Sequence, residues 1–406
     1  MTATPRAQAG TASAGQIESI QALRAIAALL VVFGHAAHET EAIGPRVGLP
    51  GIDASFLHWG IGVDIFFVIS GFIMVHTSAD LFGRPGAWRV FLARRIARIV
   101  PLYWLLTTVL LLGGLIAPRL LNVPLGDWQH ILSSYLFIPS LRGDEIRPVM
   151  ALGWTLNLEM FFYVLFAGAL LLPLRRGMVA LTLAIGGFAL AGAILKPVQV
   201  QIAFWTQQII LEFLFGCLLA LLHRQGFRLA GPSAVLLVAF GFAAMFKIHG
   251  VDAGETIPPA LRWGAPAVLI VGGAALYRGR APRLALLLTG LGNASYSLYL
   301  FHPFALRPLR EVWVKLVGGA LPLEIYIVVA MTVAAAASIF LYRWVERPMG
   351  RLLRFPGSLS KPREIRAGQD GSSWSDDRKA GPIAGQSIGP ENGMPFSERA
   401  VSGSNG

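Results

Sequence analysis

The chain has 406 residues, of which 55% are hydrophobic and 14% charged, and carries a formal net charge of +12 with a mean hydropathy of +0.61. The apolar share exceeds and the charged share falls below those of an ordinary soluble domain, which excludes a soluble globular protein. Lys and Arg fall mainly in short connections and in the C-terminal tail, not in one aromatic-studded patch, so the charge speaks for membrane orientation and against a nucleic-acid partner.

Residues 1–16 are small and polar and read as a disordered N-terminal tail. The first apolar segment, Ile20 to His38, carries Arg24 and lacks a small-residue cleavage site, so it is expected to stay as a helix and not to act as a signal peptide. Further membrane helices are predicted near Trp59 to His76, Ile99 to Ala117, Met150 to Leu174, Met178 to Leu195 and Ala203 to Leu222. The set continues near Ser233 to Phe246, Ala265 to Leu276, Leu284 to His302 and Leu323 to Tyr342, about ten in all against a hydrocarbon core of roughly 30 Å. The expected fold is therefore all-α, a polytopic transmembrane helix bundle over residues 17–353. The single cysteine, Cys217, lies in an apolar segment and can form neither an intramolecular disulfide nor a cysteine metal cluster. No metal and no permanently bound cofactor are expected.

With a cytoplasmic N-terminus, the inside connections hold Arg84, Arg89, Arg94, Arg95 and Arg98, then Arg175 and Arg176, Arg224 and Arg228, and Arg278, Arg280 and Arg283. Arg119, Arg142 and Arg147 sit in the outside connection from Pro118 to Val149. After Leu353 the chain turns rich in Gly, Ser, Pro and charge, so residues 354–406 are expected to be a disordered cytoplasmic tail.

Ionisable groups inside a bilayer cost several kcal/mol unless they face a bundle interior, so each marks a candidate site. Arg24 and His35 are eleven positions apart on the first helix, which returns them to nearly one face about 16 Å apart along the axis. Structural readings exist for both: a snorkelling interface arginine and a hydrogen-bonded core histidine. Asp64, in the run from Gly62 to Phe72, enters the second helix from outside at about the depth of His35. A carboxylate accepting from one imidazole nitrogen fixes the tautomer and raises the basicity of the other, which suits a general base; the alternative is a helix N-terminal acid favoured by the macrodipole.

Glu159, in the run from Trp154 to Tyr163, lies about two turns into the fourth helix. It is either a partner for an arginine or histidine or part of the reaction site. His302 reaches the same outer level as His35, where helix termination by Pro303 also accounts for it. On the opposite side lie Arg24, Arg95, Arg98 and Asn293, where guanidinium forks suit a ligand with several phosphates, with positive-inside anchoring as the plainer reading of Arg94, Arg95 and Arg98. Trp154, Asn157, Tyr299 and His302 are candidate substrate-binding residues.

Taken together, Arg24 and His35 at their spacing, the Asp64 to Gly71 run, Phe91-Leu-Ala-Arg-Arg-Ile-Ala-Arg-Ile-Val-Pro-Leu-Tyr103, and the Trp154 to Tyr163 run resemble the acyltransferase 3 family. Ser295 to Pro303 and Val345-Glu-Arg-Pro348 look like that family's closing motifs, so the resemblance covers about Ile17 to Leu353. The stretches Ile20 to Leu29 and Gly62 to Gly71 look most like the exopolysaccharide acetyltransferase branch, the kind that decorates succinoglycan. The resemblance implies transfer of an acyl group, commonly acetyl, from cytoplasmic acyl-CoA to a sugar hydroxyl on a lipid-linked or exported glycan, with Arg24 and His35 essential. It also implies a bacterial cytoplasmic membrane protein whose two termini are cytoplasmic. Arginines on the inner side can then hold CoA phosphates while the pantetheine arm carries the thioester outward to His35. His35, oriented by Asp64 or Glu159, would take the proton from the attacking hydroxyl; a covalent acyl-histidine is the second variant.

A transporter or flippase of lipid-linked sugars would also need buried charge and would use Asp64 and Glu159 as ion or proton sites. It often brings internal repeats, and no second segment repeats the spacing of Arg24 and His35.

Overall fold

The computed structural model describes residues 5–54, 60–116, 127–250, 257–279 and 281–353. The C-terminal segment 354–406, expected to be disordered, lies outside the described residues. In chain order the helices are α1 (Pro5–Val47), α2 (Ile61–Ser78), α3 (Ala87–Ile116), α4 (Trp128–Tyr135), α5 (Trp154–Ala169), α6 (Leu174–Leu195), α7 (Val200–Trp205), α8 (Leu211–Arg224), α9 (Gly231–Gly250), α10 (Pro259–Arg262), α11 (Gly264–Leu276), α12 (Arg283–Asn293), α13 (Ser295–Leu316), α14 (Leu323–Leu341) and α15 (Arg347–Leu352). Between α4 and α5 the strands β1 (Leu141–Arg142) and β2 (Glu145–Ile146) form an antiparallel hairpin, turned at Gly143 with φ +63°. The fold is an all-α bundle.

Among the described residues seven helical segments are long and apolar enough to cross a membrane, where about ten were expected: Glu18–Val47, Ile61–Leu81, Ala87–Ile116, Ala151–Ala169, Leu174–Leu195, Pro259–Leu276 and Leu323–Leu352. The differences have local causes. The expected span from Ala203 to Leu222 is cut where Gln207 and Gln208 interrupt the apolar run and a 3-10 turn at Gln208–Ile210 separates α7 from α8. The apolar part of α9 covers only Gly231–Phe246. The expected ninth span breaks at Ala294 (φ −88°, ψ 5°) into α12 and α13.

Three helices also run farther than the sequence suggests. Helix α13 does not stop at Pro303; it carries Pro303 and Pro308 inside it and continues to Leu316, although each proline removes the N–H that would bond the carbonyl four residues back. Helix α3 starts at Ala87 and passes through Pro101, so Arg89, Arg94, Arg95 and Arg98 ride on its first turns and not in a connection. Helix α1 begins at Pro5, inside the stretch read as an N-terminal tail.

Two seams position the interior. Helices α2 and α8 run in parallel with Asp64 beside Glu212 and His76 beside His223. A Cβ on Gly71 would sit 1.9 Å from the Phe213 carbonyl oxygen, and one on Gly216 1.9 Å from that of Val68. Both positions must be glycine for the two backbones to touch, as small residues allow in membrane bundles. Cys217, fully buried, seals this seam with Sγ 3.5 Å from the Gly71 carbonyl oxygen.

The second seam joins α1 to α13. One hydrophobic core lies mainly between α2, α3, α5, α6, α8 and α11, and a second between α1, α13 and α14, anchored by Trp313 on Tyr326. At the chain end of α1 that carries His35, the connection before α5 is tied down by Ser134, which takes the Val149 N–H at 2.9 Å and whose carbonyl accepts from the Tyr103 hydroxyl at 3.1 Å. His130 bonds Ser140 at 2.9 Å, and burial, helped by Arg142, holds its imidazole below the ordinary value.

Candidate active site

Helices α1 and α13 lie alongside each other with four polar contacts in register. Arg24 Nε donates to Ser295 Oγ at 3.1 Å; the rings of His35 and His302 meet edge to face at 4.9 Å between centroids; Arg310 pairs with Glu39 at 2.7 Å; and Arg46 reaches both carboxylate oxygens of Glu311 at 2.8 and 2.9 Å. The eleven-residue spacing of Arg24 and His35 thus reappears as opposite ends of one helix face, each end facing α13.

The two imidazoles are held in one tautomer. His35 Nδ1 lies 2.9 Å from the Val31 carbonyl oxygen, and His302 Nδ1 lies 3.1 Å from that of Leu298. A carbonyl oxygen only accepts, so in each neutral ring Nδ1 carries the proton and Nε2 the lone pair. His302 is fully buried while His35 is half-buried. His35 is therefore the ring that an external hydroxyl can reach.

Toward the Arg24 end the helices enclose a cavity of about 100 Å³ lined by Arg24, Arg95 and Arg98, by Glu159 with Ser70 and Tyr163, and by Phe66 and Tyr299. The Ser70 hydroxyl donates to Glu159 Oε1 at 3.0 Å, and the Tyr163 hydroxyl bonds the same oxygen. A second, larger cavity of about 1010 Å³ shares Arg24 and Arg98 and adds Arg89, Arg94, Asn293, Arg347 and Arg351. Among the described residues its lining holds one carboxylate, Glu346, set in a π-helical turn (Tyr342–Glu346) and held by the Ser297 hydroxyl at 2.5 Å. So many guanidinium groups around one carboxylate leave a cationic pocket fit for a polyanion.

The expected site residues do not all come together. His35 and His302 meet. Arg24, Arg95, Arg98 and Asn293 lie at the other end, where Arg95 faces the smaller cavity and Asn293 the larger. Glu159 belongs with the arginines, bonded to Ser70 and Tyr163, so the expectation that it orients His35 gives way to the Val31 carbonyl and the His302 ring. Asp64 hydrogen-bonds Glu212 of α8. Tyr299 lines the smaller cavity, with its hydroxyl 3.1 Å from Thr155 Oγ1 and 3.3 Å from the Leu152 carbonyl oxygen. Trp154 and Asn157 line neither cavity; Asn157 is buried, and its Oδ1 has no hydrogen-bond partner among the described residues.

Several residues of the cavities and of the α2–α8 seam escaped the sequence reading. Glu212 is an acid in an apolar run, the same signal that singled out Asp64 and Glu159. Tyr163 stands four residues after Glu159, on its face of the helix. Glu346 lies in the Val345–Pro348 motif. Ser70 and Ser295 carried no signal beyond membership of their motifs.

A family profile described as an acyltransferase domain matches residues 17–343. The chain is 35% identical over 307 residues to the exopolysaccharide production protein ExoZ of Rhizobium meliloti (strain 1021), covering 74% of this chain and 93% of that one. It is 28% identical over 380 residues to the acyltransferase MdmB of Streptomyces mycarofaciens, covering 83% and 92%. Over 335 residues it is 23% identical to the O-acetyltransferase OatA of Staphylococcus aureus (strain NCTC 8325 / PS 47), covering 73% of this chain and 54% of that one. No solved structure matches the chain.

Proposed function

Since this chain belongs to the acyltransferase 3 family, we propose that it moves an acetyl group from cytoplasmic acyl-CoA to a hydroxyl of an exopolysaccharide or other cell-surface glycan. The observation that carries this reading is the arrangement along α1 and α13. A cationic pocket lies at the Arg24 end and an imidazole with a fixed Nε2 lone pair lies at the His35 end. That the Rhizobium relative is an exopolysaccharide production protein supports a polysaccharide acceptor, and that the Staphylococcus relative is an O-acetyltransferase supports acetyl as the group transferred to oxygen.

In this reading Arg24, Arg98, Arg347 and their neighbours hold the phosphates of CoA, and Glu346 and Asn293 shape the same pocket. The pantetheine arm runs past Glu159 and Tyr163 through the smaller cavity and carries the thioester to the histidine pair. His35 Nε2 takes the proton of the glycan hydroxyl as its oxygen attacks the thioester carbon. The carbon–sulfur bond then breaks, the acyl ester is formed, and the imidazolium returns the proton to the departing CoA thiolate. The Val31 carbonyl and the His302 ring position His35. The protein sits in a bacterial cytoplasmic membrane, with the Arg24 end and both termini on the cytoplasmic side.

The test is release of free CoA from acetyl-CoA by the purified detergent-solubilised protein, with and without a surface-glycan extract. Glycan-dependent release that drops about 10²- to 10⁴-fold in His35→Ala is expected for a lost general base. A folded wild-type protein that consumes no acyl-CoA with any extract would overturn the reading.

A further inference from the structure

The smaller cavity does not reach the histidine pair: neither His35 nor His302 lines it. Its wall includes a pair of rings. Phe66 and Tyr299 both line the cavity and meet edge to face, 6.0 Å between centroids and 68° between planes. Tyr299 precedes His302 by three residues on α13, so the two lie on neighbouring positions of one face about 4.5 Å apart along the axis. Phe66 packs against both hydrophobic cores, the one around the cavity and the one around α1 and α13. One turn of α13 therefore separates Tyr299, in the cavity wall with Phe66 against it, from His302.

The two rings are not held alike. The Tyr299 hydroxyl bonds Thr155 and the Leu152 carbonyl, and its ring is buried. Phe66 has no polar anchor and is half-buried. Opening the passage thus means swinging Phe66 while Tyr299 stays as the fixed wall.

We propose that Phe66, closing against Tyr299, sets the width of the acyl group that can pass from the arginine-lined cavity to His35, so that unbranched short acyl thioesters are accepted and branched or aromatic ones are turned away. This rests on the acyl-CoA reading above. An acetyl group is no wider than the pantetheine arm that follows it, so any opening that admits the arm admits acetyl. Only the unbranched cysteamine and β-alanine end of the arm has to pass this single turn, and an isobutyryl or benzoyl group is wider than that end and needs a larger displacement of the ring. Width, not chain length, is the selected quantity, because an unbranched acyl chain threads the same opening as its carrier.

The experiment measures glycan-dependent CoA release from acetyl-, butyryl-, isobutyryl- and benzoyl-CoA by wild type, Phe66→Ala and Phe66→Leu. Wild type is expected to use acetyl and butyryl donors and to reject the two wide ones. Phe66→Ala is expected to narrow the acetyl-to-isobutyryl ratio of kcat/KM by about tenfold or more, within the range that one or two methyl groups command in a pocket. Phe66→Leu, which keeps an apolar side chain in the two cores, should fall between and reports even where the alanine variant fails to fold. Wild-type acetyl turnover with the same donor ratios in folded Phe66 variants would overturn the width filter and leave the acyltransferase reading intact. A wild type inactive on all four donors would overturn both.

Discussion

Replacing Gly71 with alanine tests the α2–α8 seam that carries the Asp64–Glu212 pair. The added Cβ would stand 1.9 Å from the Phe213 carbonyl oxygen and 2.8 Å from its carbon, whereas ordinary contact begins at 3.4 Å. Both atoms belong to a helix backbone and cannot turn aside, so the helices must part by roughly 1.5 Å, an overpacking that costs about 1–3 kcal/mol. The chain supplies its own reporter. Its single cysteine, Cys217, is buried against Gly71 and reacts with a thiol dye only when the seam opens. At 1.4 kcal/mol per factor of ten, Gly71→Ala should raise the labelling rate of Cys217 by about 5- to 150-fold, and lower the melting temperature followed with the same dye. Gly186→Ala in α6, where nothing lies within 4 Å of the new Cβ, is the control and should leave both unchanged or slightly improved. Equal labelling in wild type and Gly71→Ala would refute the close backbone contact.

Three further outcomes follow from named contacts. Arg98→Ala removes a guanidinium shared by both cavities, so KM for acetyl-CoA should rise about tenfold or more with a smaller change in kcat, as loss of a charge-assisted contact made equally before and during reaction would do. Arg310→Ala strips Glu39 of its 2.7 Å partner and should destabilise by about 1–3 kcal/mol in a thermal melt, while Arg46→Ala, on the exposed pair with Glu311, should be close to neutral. His130 has a folded-state pKa below its unfolded value of 6.5, so the folded form binds fewer protons than the unfolded chain and its contribution to stability is lost as pH falls below 6.5. The protection factor of the Val149 N–H, held by Ser134 and taken against the intrinsic exchange rate at each pH, should fall on acidification, and His130→Phe should blunt the effect.

Much of the bundle was legible because apolar length is a one-dimensional property of the chain. Segments such as Leu174–Leu195 and Leu323–Leu341 needed nothing more. The spans that failed did so where a few residues decide: Gln207 and Gln208 are too few to spoil the hydropathy of their segment yet enough to end a helix, and Ala294 bears no local mark of a break. Pro303 misled in the other direction, since tertiary packing of α13 on α1 and α14 holds the helix through a proline that would end an isolated one.

Depth along a helix could also be read, which is why Arg24 and His35 emerged at opposite ends and His302 at the level of His35. Azimuth across helices could not. Asp64 and Glu159 have suitable depths, but their partners depend on which neighbour each helix face meets. Asp64 meets Glu212 because glycines at 71 and 216 bring α8 against α2, and Glu159 meets Ser70 and Tyr163 on the arginine side.

In the proposed reading, donor and acceptor approach from opposite ends of the α1–α13 pair. Its most direct test is a proteoliposome preparation of uniform orientation with labelled acetyl-CoA on one side only and a surface-glycan extract on the other. Label in the glycan across the membrane, dependent on His35 and on the donor being supplied at the Arg24 side, is the predicted result. Label appearing only when donor and glycan share one compartment would contradict it.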